Sequence, residues 1–243
     1  MIKSVNHFLL NTLLIFFLLY CSVYAGWFAS YSNYFFFPVI YELEDIRGNV
    51  FEYAPKNTAG KEDFVFVSSG AHLKIFGEML RGVNNEGEGL DEITYRSNNV
   101  RKKFLTSNEL THLQDVADMI TMLKSFMKLI LVLLVSVVGT MVVGRVYPFN
   151  LSRVLWSMGA FIAGLGLLIN KYGFVKIFYF MHDATFPKNH EWFFYYEDSL
   201  MSTLLKAPDS FVPMGVVLGF CSLVSFIIMY AVVSKLIIAL MKR

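Results

Sequence analysis

Long apolar runs alternate with polar stretches along this chain, and the run lengths set its class. Four of them are Phe8–Phe28, Phe126–Gly144, about Leu151–Ile169 and Phe211–Val233. Each holds about the 20 helical residues needed to cross roughly 30 Å of hydrocarbon. A backbone in lipid must satisfy its own hydrogen bonds, so each run predicts a transmembrane helix. Composition agrees, because 56% of the residues are apolar and 16% charged, too few charges to clothe a soluble domain of this size. The chain therefore reads as a predominantly α membrane protein. Its expected segments are span 1 (1–28), an outer segment (29–125), span 2 (126–144), a short loop (145–150), span 3 (151–169), a second outer segment (170–210), and span 4 with its tail (211–243).

The polar segments carry their own patterns. Residues 29–125 read as a small mixed α/β domain, with alternation near Val39–Ile46 and Phe64–Val67 predicting short strands. Pro55, Asn57 and Gly60 supply a turn between them. A helix is expected from Ser69 through Leu80, before the Gly82–Gly89 loop. Thr106-Ser107-Asn108-Glu109 has the spacing of a capping box, in which Thr and Glu each satisfy an end of a new helix. Leu110, Leu113, Val116, Ile120, Leu123 and Met127 then form a stripe at helical spacing, so this helix is expected to run into span 2. His112, Asp115 and Met119 lie beside that stripe. Residues 170–210 read as a short, strongly aromatic loop, in which His182, Asp183, Asn189, His190 and Glu191 sit among Phe and Trp rings. Such rings belong at lipid headgroups, and polar groups among them are costly unless they have partners or work to do.

Charge orients the spans. Lys3 precedes the first, Arg145 and Arg153 flank the short loop, and Lys235, Lys242 and Arg243 close the chain, with no acidic residue in any of those pieces. All 19 Asp and Glu fall elsewhere, 14 in residues 29–125 and 5 in residues 170–210. The positive-inside rule then predicts cytoplasmic termini and a cytoplasmic short loop, with both acidic segments extracytoplasmic. Ser22-Val23-Tyr24-Ala25 loosely imitates a signal-peptide cleavage site, but the apolar run is too long for an ordinary signal, and the first span is expected to be retained. Cys21 and Cys221 fall inside spans, as inert buried residues rather than a disulfide or metal framework. The near-neutral net charge gives no footprint for nucleic acid.

Familiar catalytic motifs are missing. There is no Gly-x-Ser-x-Gly elbow, no His-Glu-x-x-His pair, no His followed five residues on by Asp, and no phosphate-cradling glycine loop. His182 and His190, eight residues apart, do not have a recognised metal-ligand spacing. Acid–base chemistry by histidine remains. His7, His72 and His190 read as residues without a catalytic part, the last two at the surface.

Two segments carry a family resemblance. Glu109-Leu110-Thr111-His112-Leu113-Gln114-Asp115-Val116 resembles the Glu-x-x-His-Met-x-Asp-Val pattern of the lipoprotein intramolecular transacylase (Lit) family. His182-x-x-x-Phe186-x-x-Asn189-x-x-Trp192 is similar to that family's His-x-x-Phe-Phe-x-Asn-x-x-Trp stretch. Leu204-Leu205-Lys206-Ala207-Pro208-Asp209-Ser210-Phe211 resembles its passage into the last span. The likeness covers the four-span layout and is vague across residues 38–100. Tyr195-Tyr196 stands where the family has Asp-Pro, Ala117 where it has Lys, and Thr185-Phe186 where it has a Phe pair.

The resemblance implies a bacterial cytoplasmic-membrane acyltransferase working on the extracytoplasmic side. It would move the sn-2 acyl chain of a diacylglyceryl-cysteine to the cysteine α-amine and leave a lyso-form lipoprotein. His112 and His182 map onto the family's functional pair as base and as proton donor or ester polariser, in an unassigned order. Asp115 is placed to orient the His112 ring, Asn189 to donate to an oxyanion, Glu109 to support the first motif, and Phe186 and Trp192 to hold glyceryl and acyl groups. Diacylated lipoprotein and membrane phospholipid are the implied partners, with no cofactor or metal. The residues alone leave two other readings open: a non-catalytic protein binding lipid or a partner through its aromatic belt, and an interfacial lipid hydrolase using the same histidines.

Overall fold

The structure is a computed structural model that describes residues 2–242. Arg243, one of the basic residues used to orient the chain, lies outside the described residues, as does the side chain of Lys3. Four helices are long and apolar enough to cross a membrane: α1 (Ile2–Ser32), α5 (Ser107–Val143), α6 (Leu151–Tyr172) and α9 (Phe211–Met241). The remaining elements are α2 (Phe37–Leu43), α3 (Ile46–Tyr53), α4 (Ser69–Asn84), β1 (Thr94–Ser97), β2 (Val100–Lys103), α7 (Phe174–Thr185) and α8 (Leu200–Leu205). The chain divides into two compact units. One comprises Met1–Ser30, Lys124–Gly173 and Leu218–Arg243, the other Tyr31–Leu123 and Phe174–Val217.

The first unit holds the spanning segments. Leu14, Phe17 and Leu18 of α1, Ile130 and Met141 of α5, and Phe226, Tyr230 and Ile237 of α9 form its core. α1 and α9 approach closely at Gly26: a Cβ there would stand 2.2 Å from the Ser222 hydroxyl oxygen and 2.8 Å from its Cα. Only a residue without a side chain fits that crossing. The loop before α6 is held by side chains of the core. Asn11 donates to the carbonyls of His7 (3.0 Å) and Tyr147 (3.2 Å) and accepts from the Phe149 amide (2.7 Å). The Tyr230 hydroxyl donates to the Phe149 carbonyl at 2.8 Å. Asn150 then caps α6 by accepting from the Ser152 amide.

The second unit is helical where strands were expected over Val39–Ile46 and Phe64–Val67. Pro38 sits in the first turn of α2, and Phe37, Ile40 and Tyr41 are buried at helical spacing. Residues Glu62–Phe66 form a 3₁₀ turn, whose three-residue period buries both Phe64 and Val67. The two-stranded sheet lies elsewhere. β1 and β2 pair antiparallel around Asn98-Asn99, both at positive φ, the conformation a two-residue hairpin turn demands. Inside it, Tyr95 packs edge-on against Phe64 and donates to Asp63 at 2.9 Å. The expected helix from Ser69 is α4, capped by Ser68 and extended to Asn84. The second outer segment is not one loop. Gly173 takes a φ of +82° after α6, and Phe174, Phe178 and His182 then follow at i, i+4 spacing along α7.

α5 has 37 residues, about 55 Å of helix, far more than the hydrocarbon needs. Its first turns carry Glu109, His112, Asp115 and Asp118 and belong to the second unit, whereas the apolar stretch from Phe126 onward belongs to the first. Only that later part is membrane-spanning in composition. The buried stripe of the outer part runs through Glu109, Leu113, Ala117 and Ile120, with His112 beside it.

Candidate active site

The start of α5 is where the local sequence does most to place chemistry. The capping box forms, with the Thr106 amide donating to Glu109 Oε2 and the Glu109 amide donating to Thr106 Oγ1 at 3.4 Å. Glu109 does more than cap. Its other oxygen, Oε1, accepts from the Ser199 hydroxyl and from the Met201 amide (3.2 Å), and the residue is 0% exposed. Ser199 in turn caps α8 by accepting from the Ser202 amide at 2.9 Å. One carboxylate thus ties the two outer segments together at the helix that presents His112. Lys61 is the cation that feels it. Burial draws its amine down, the Glu109 charge opposes that, and Nζ donates to the Phe104 carbonyl at 2.7 Å.

Two further contacts join the same segments. Asn108 Nδ2 donates to Glu191 at 2.7 Å, and the Asp115 carboxylate pairs with His190 Nδ1 at 2.8 Å. The second contact corrects two expectations. Asp115 holds His190 rather than orienting the His112 ring, and His190 is not a free surface residue. His72 is not at the surface either: it is buried, with Nδ1 2.8 Å from the Tyr41 hydroxyl.

Between these ties the two motif histidines meet. The rings of His112 and His182 lie 6.1 Å apart, centroid to centroid, tilted by 35°. Phe186 touches both, edge-on to His112 at 4.9 Å and 5.3 Å from His182. Trp192 lies 4.9 Å from His182, Phe178 4.0 Å from it, and Phe194 6.1 Å from His112. This aromatic surround explains the electrostatics. Burial pushes His112 down to about 4, helped by the neighbouring His182 and opposed by Asp115. His182 is also lowered by burial, against the Phe178 carbonyl and the Asp183 charge. Both rings are therefore neutral near pH 7, the state in which an imidazole nitrogen can take a proton.

The hydrogen bonds distinguish the two rings. His182 Nδ1 is 2.8 Å from the Phe178 carbonyl, which can only accept, so Nδ1 carries the proton and Nε2 presents its lone pair. His112 Nδ1 is buried and has no hydrogen-bond partner. One ring is anchored through Nδ1 and leaves Nε2 as its acceptor, and the other has a buried Nδ1 without a partner. Asn189 is exposed and makes no side-chain hydrogen bond among the described residues. Trp192 Nε1 donates to Asp183 at 3.2 Å, which fixes the indole against His182. Phe186 and Trp192 also line a cavity of about 450 Å³. Among the described residues no three His, Cys, Asp or Glu side chains converge on a common metal position.

Phe178 and His190 are the site residues that sequence reasoning missed. Phe178 stands one helical turn before His182, a signal that emerges only once α7 is read as a helix. His190 has no local signal, because its partner lies 75 residues away.

Residues 8–211 match the family model "Lipoprotein intramolecular transacylase Lit". The fold is similar to the in meso structure of the membrane integral lipoprotein intramolecular transacylase Lit from Bacillus cereus, in a histidine-to-arginine variant. The TM-score is 0.60 at 14% identity, covering 98% of this chain and 92% of that one. At that identity the likeness is one of fold. No curated protein matches the chain.

Proposed function

This chain belongs to the lipoprotein intramolecular transacylase Lit family and is an integral-membrane acyltransferase, and from that premise we propose that His182 and His112 carry the transfer. The acceptor is the α-amine of a diacylglyceryl-cysteine and the donor its sn-2 ester. The neutral amine nitrogen attacks the ester carbonyl, and the proton it sheds goes to His182 Nε2. The C–O bond then breaks, and His182 returns that proton to the glyceryl oxygen, so an amide and an alcohol form without water. His112, neutral and with an unpartnered ring nitrogen, polarises the ester oxygen as charge develops there. Donor and acceptor share one substrate, which removes much of the entropic cost of bringing them together, and effective molarities of about 10⁵ M or more are attainable for well-oriented pairs.

The observation that carries this reading is the meeting of two neutral imidazoles from separate segments, 6.1 Å apart, with the tautomer of one fixed by a backbone carbonyl. Segment charges support an extracytoplasmic site in a bacterial cytoplasmic membrane, with cytoplasmic termini and outer segments 29–125 and 170–210. The test is to express the chain with a diacylated lipoprotein and determine the N-terminal peptide by mass spectrometry. Wild type should give an N-acylated lyso-form, and His182→Ala and His112→Ala the unchanged diacyl form. Folded wild type that leaves the amine unmodified overturns the proposal, and free fatty acid in place of N-acyl product would point to hydrolysis.

A further inference from the structure

The cavity of about 450 Å³ beside the histidine pair is lined by Phe180, Phe186 and Trp192, with Asp183, Lys188 and His190 as its polar members. His190 is occupied by Asp115. Asp183 accepts from the indole N–H of Trp192, and among the described residues it forms no ion pair. A carboxylate that accepts from the Trp192 indole and shares its cavity with Phe180 and Phe186 suits a primary ammonium, which gains a charge-assisted hydrogen bond beside aromatic rings. Lys188 also lines the cavity and is not paired with Asp183.

We propose that this cavity is the subsite for the substrate's α-ammonium, with Asp183 as its counter-ion. The inference rests on the reading above that a lipoprotein amine is the nucleophile, and it adds the group that recognises it. Position argues for that occupant. Asp183 follows His182 directly on α7, and Trp192 contacts both, lying tilted against the imidazole and bonding the carboxylate. Phe186 and Trp192 line this cavity and also lie against the His182 ring, so an ammonium held at Asp183 binds near that ring; it releases one proton to water before attack, and the second, shed on attack, goes to His182. An already N-acylated lipoprotein has no cation to offer and loses this anchor, so the subsite selects unacylated substrate.

The experiment uses the full chain in nanodiscs and a lipopeptide whose glyceryl chains are ether-linked, so that no acyl group can move. Its affinity is measured with a free α-amine and with an N-acetylated one. Wild type should prefer the free amine by about tenfold or more, the scale of a charge-assisted hydrogen bond. Asp183→Asn, which can still accept from Trp192, should bind both forms alike at an unchanged melting temperature, and Asp183→Glu should restore part of the preference. Equal binding of both forms by wild type, or an undiminished preference in Asp183→Asn, overturns the subsite. So does a zwitterionic headgroup as occupant: phosphatidylethanolamine in the nanodisc would then compete with the lipopeptide, and Lys188→Gln, lacking a cation for its phosphate, would relieve that competition. With Asp183 holding the substrate amine, Lys188→Gln should keep or strengthen the preference. The probe cannot react, so failure of acyl transfer with the preference intact counts against the histidine reading alone.

Discussion

Asn11 in the first unit and His112 in the second are both buried polar side chains, and they are treated in opposite ways. Asn11 spends its amide fully, giving two hydrogen bonds and accepting one, and Tyr230 closes the same loop with a fourth. Ser30 and Ser222 lack partners there, but a serine hydroxyl in a helix turns readily to a carbonyl one turn back. His112 has no such recourse. Its Nδ1 is buried without a partner in a ring flanked by Phe186 and Phe194, and the protein bears the cost of keeping it so. A saturated buried polar group holds a fold together, and an unsaturated one beside a second imidazole is available for work.

If that contrast is right, disturbing the histidine pair should damage rate far more than stability. Each of His112→Ala and His182→Ala should cost roughly 10²–10⁴ in the transfer rate. The double variant should cost little more than either, because two groups acting as a unit lose the whole function when one is removed. Single-turnover rates on a diacylated lipopeptide, with melting temperatures beside them, check this. Additive losses would mean that the rings act independently.

Glu109 is the next largest effect, and it belongs to stability. Glu109→Ala removes a fully buried carboxylate and leaves the Ser199 hydroxyl and the amides of Met201 and Thr106 without their acceptor. A loss of about 3 kcal/mol or more is expected. Because the clasp joins the segments bearing His112 and His182, transfer should fall together with the folded fraction. A variant as stable as wild type in denaturant titration would show that the carboxylate is dispensable. Asn11→Ala should follow, at about 2 kcal/mol for a lost set of buried hydrogen bonds, with the rate per folded molecule unchanged.

These contrasts were unevenly legible in the sequence. The spans were readable because run length alone separates a lipid-crossing helix from a core helix, and the capping box marked the start of α5 because its spacing is local. Residues 39–46 and 64–67 misled because short apolar runs fit a period of two as well as one of three or four. Only the packing of Phe37 on Phe76, stacked at 3.7 Å, and the burial of Phe64 decide between them. The hairpin at Asn98-Asn99 hid in a charged stretch whose strands bury little beyond Tyr95 and Ser97. His112 and His182 could be picked out because each sits in a recognisable motif. The Asp115–His190 pair could not, since nothing local in either segment announces a partner.

The smallest expected effect uses His72 as the foil to His112 within the outer unit. His72 is buried, stacks on Phe64 at 4.8 Å, and has an unpartnered Nε2, so by burial alone it matches His112. Burial, with some help from Arg47, pushes it down to about 4. A histidine depressed in the fold but ordinary when unfolded gives stability that is complete above about pH 6.5 and lost as pH falls toward 4, because the unfolded chain takes up the proton first. Asp63 does not confuse that window. Burial works against its ionisation, yet hydrogen bonds from Lys102 and Tyr95 hold it below its ordinary value of 3.8, so its contribution changes only at lower pH. Replacing His72 with Gln should therefore remove about 1.4 kcal/mol of the acid destabilisation at pH 5.5, one unit below the ordinary histidine value. His112→Gln should flatten the same stretch of the curve. The two variants should part on rate at neutral pH, with His72→Gln transferring like wild type and His112→Gln slowed as much as His112→Ala. If His72→Gln lost transfer as well, an unpartnered buried imidazole would no longer mark the reacting pair, and the second ring at 6.1 Å would not be what sets His112 apart.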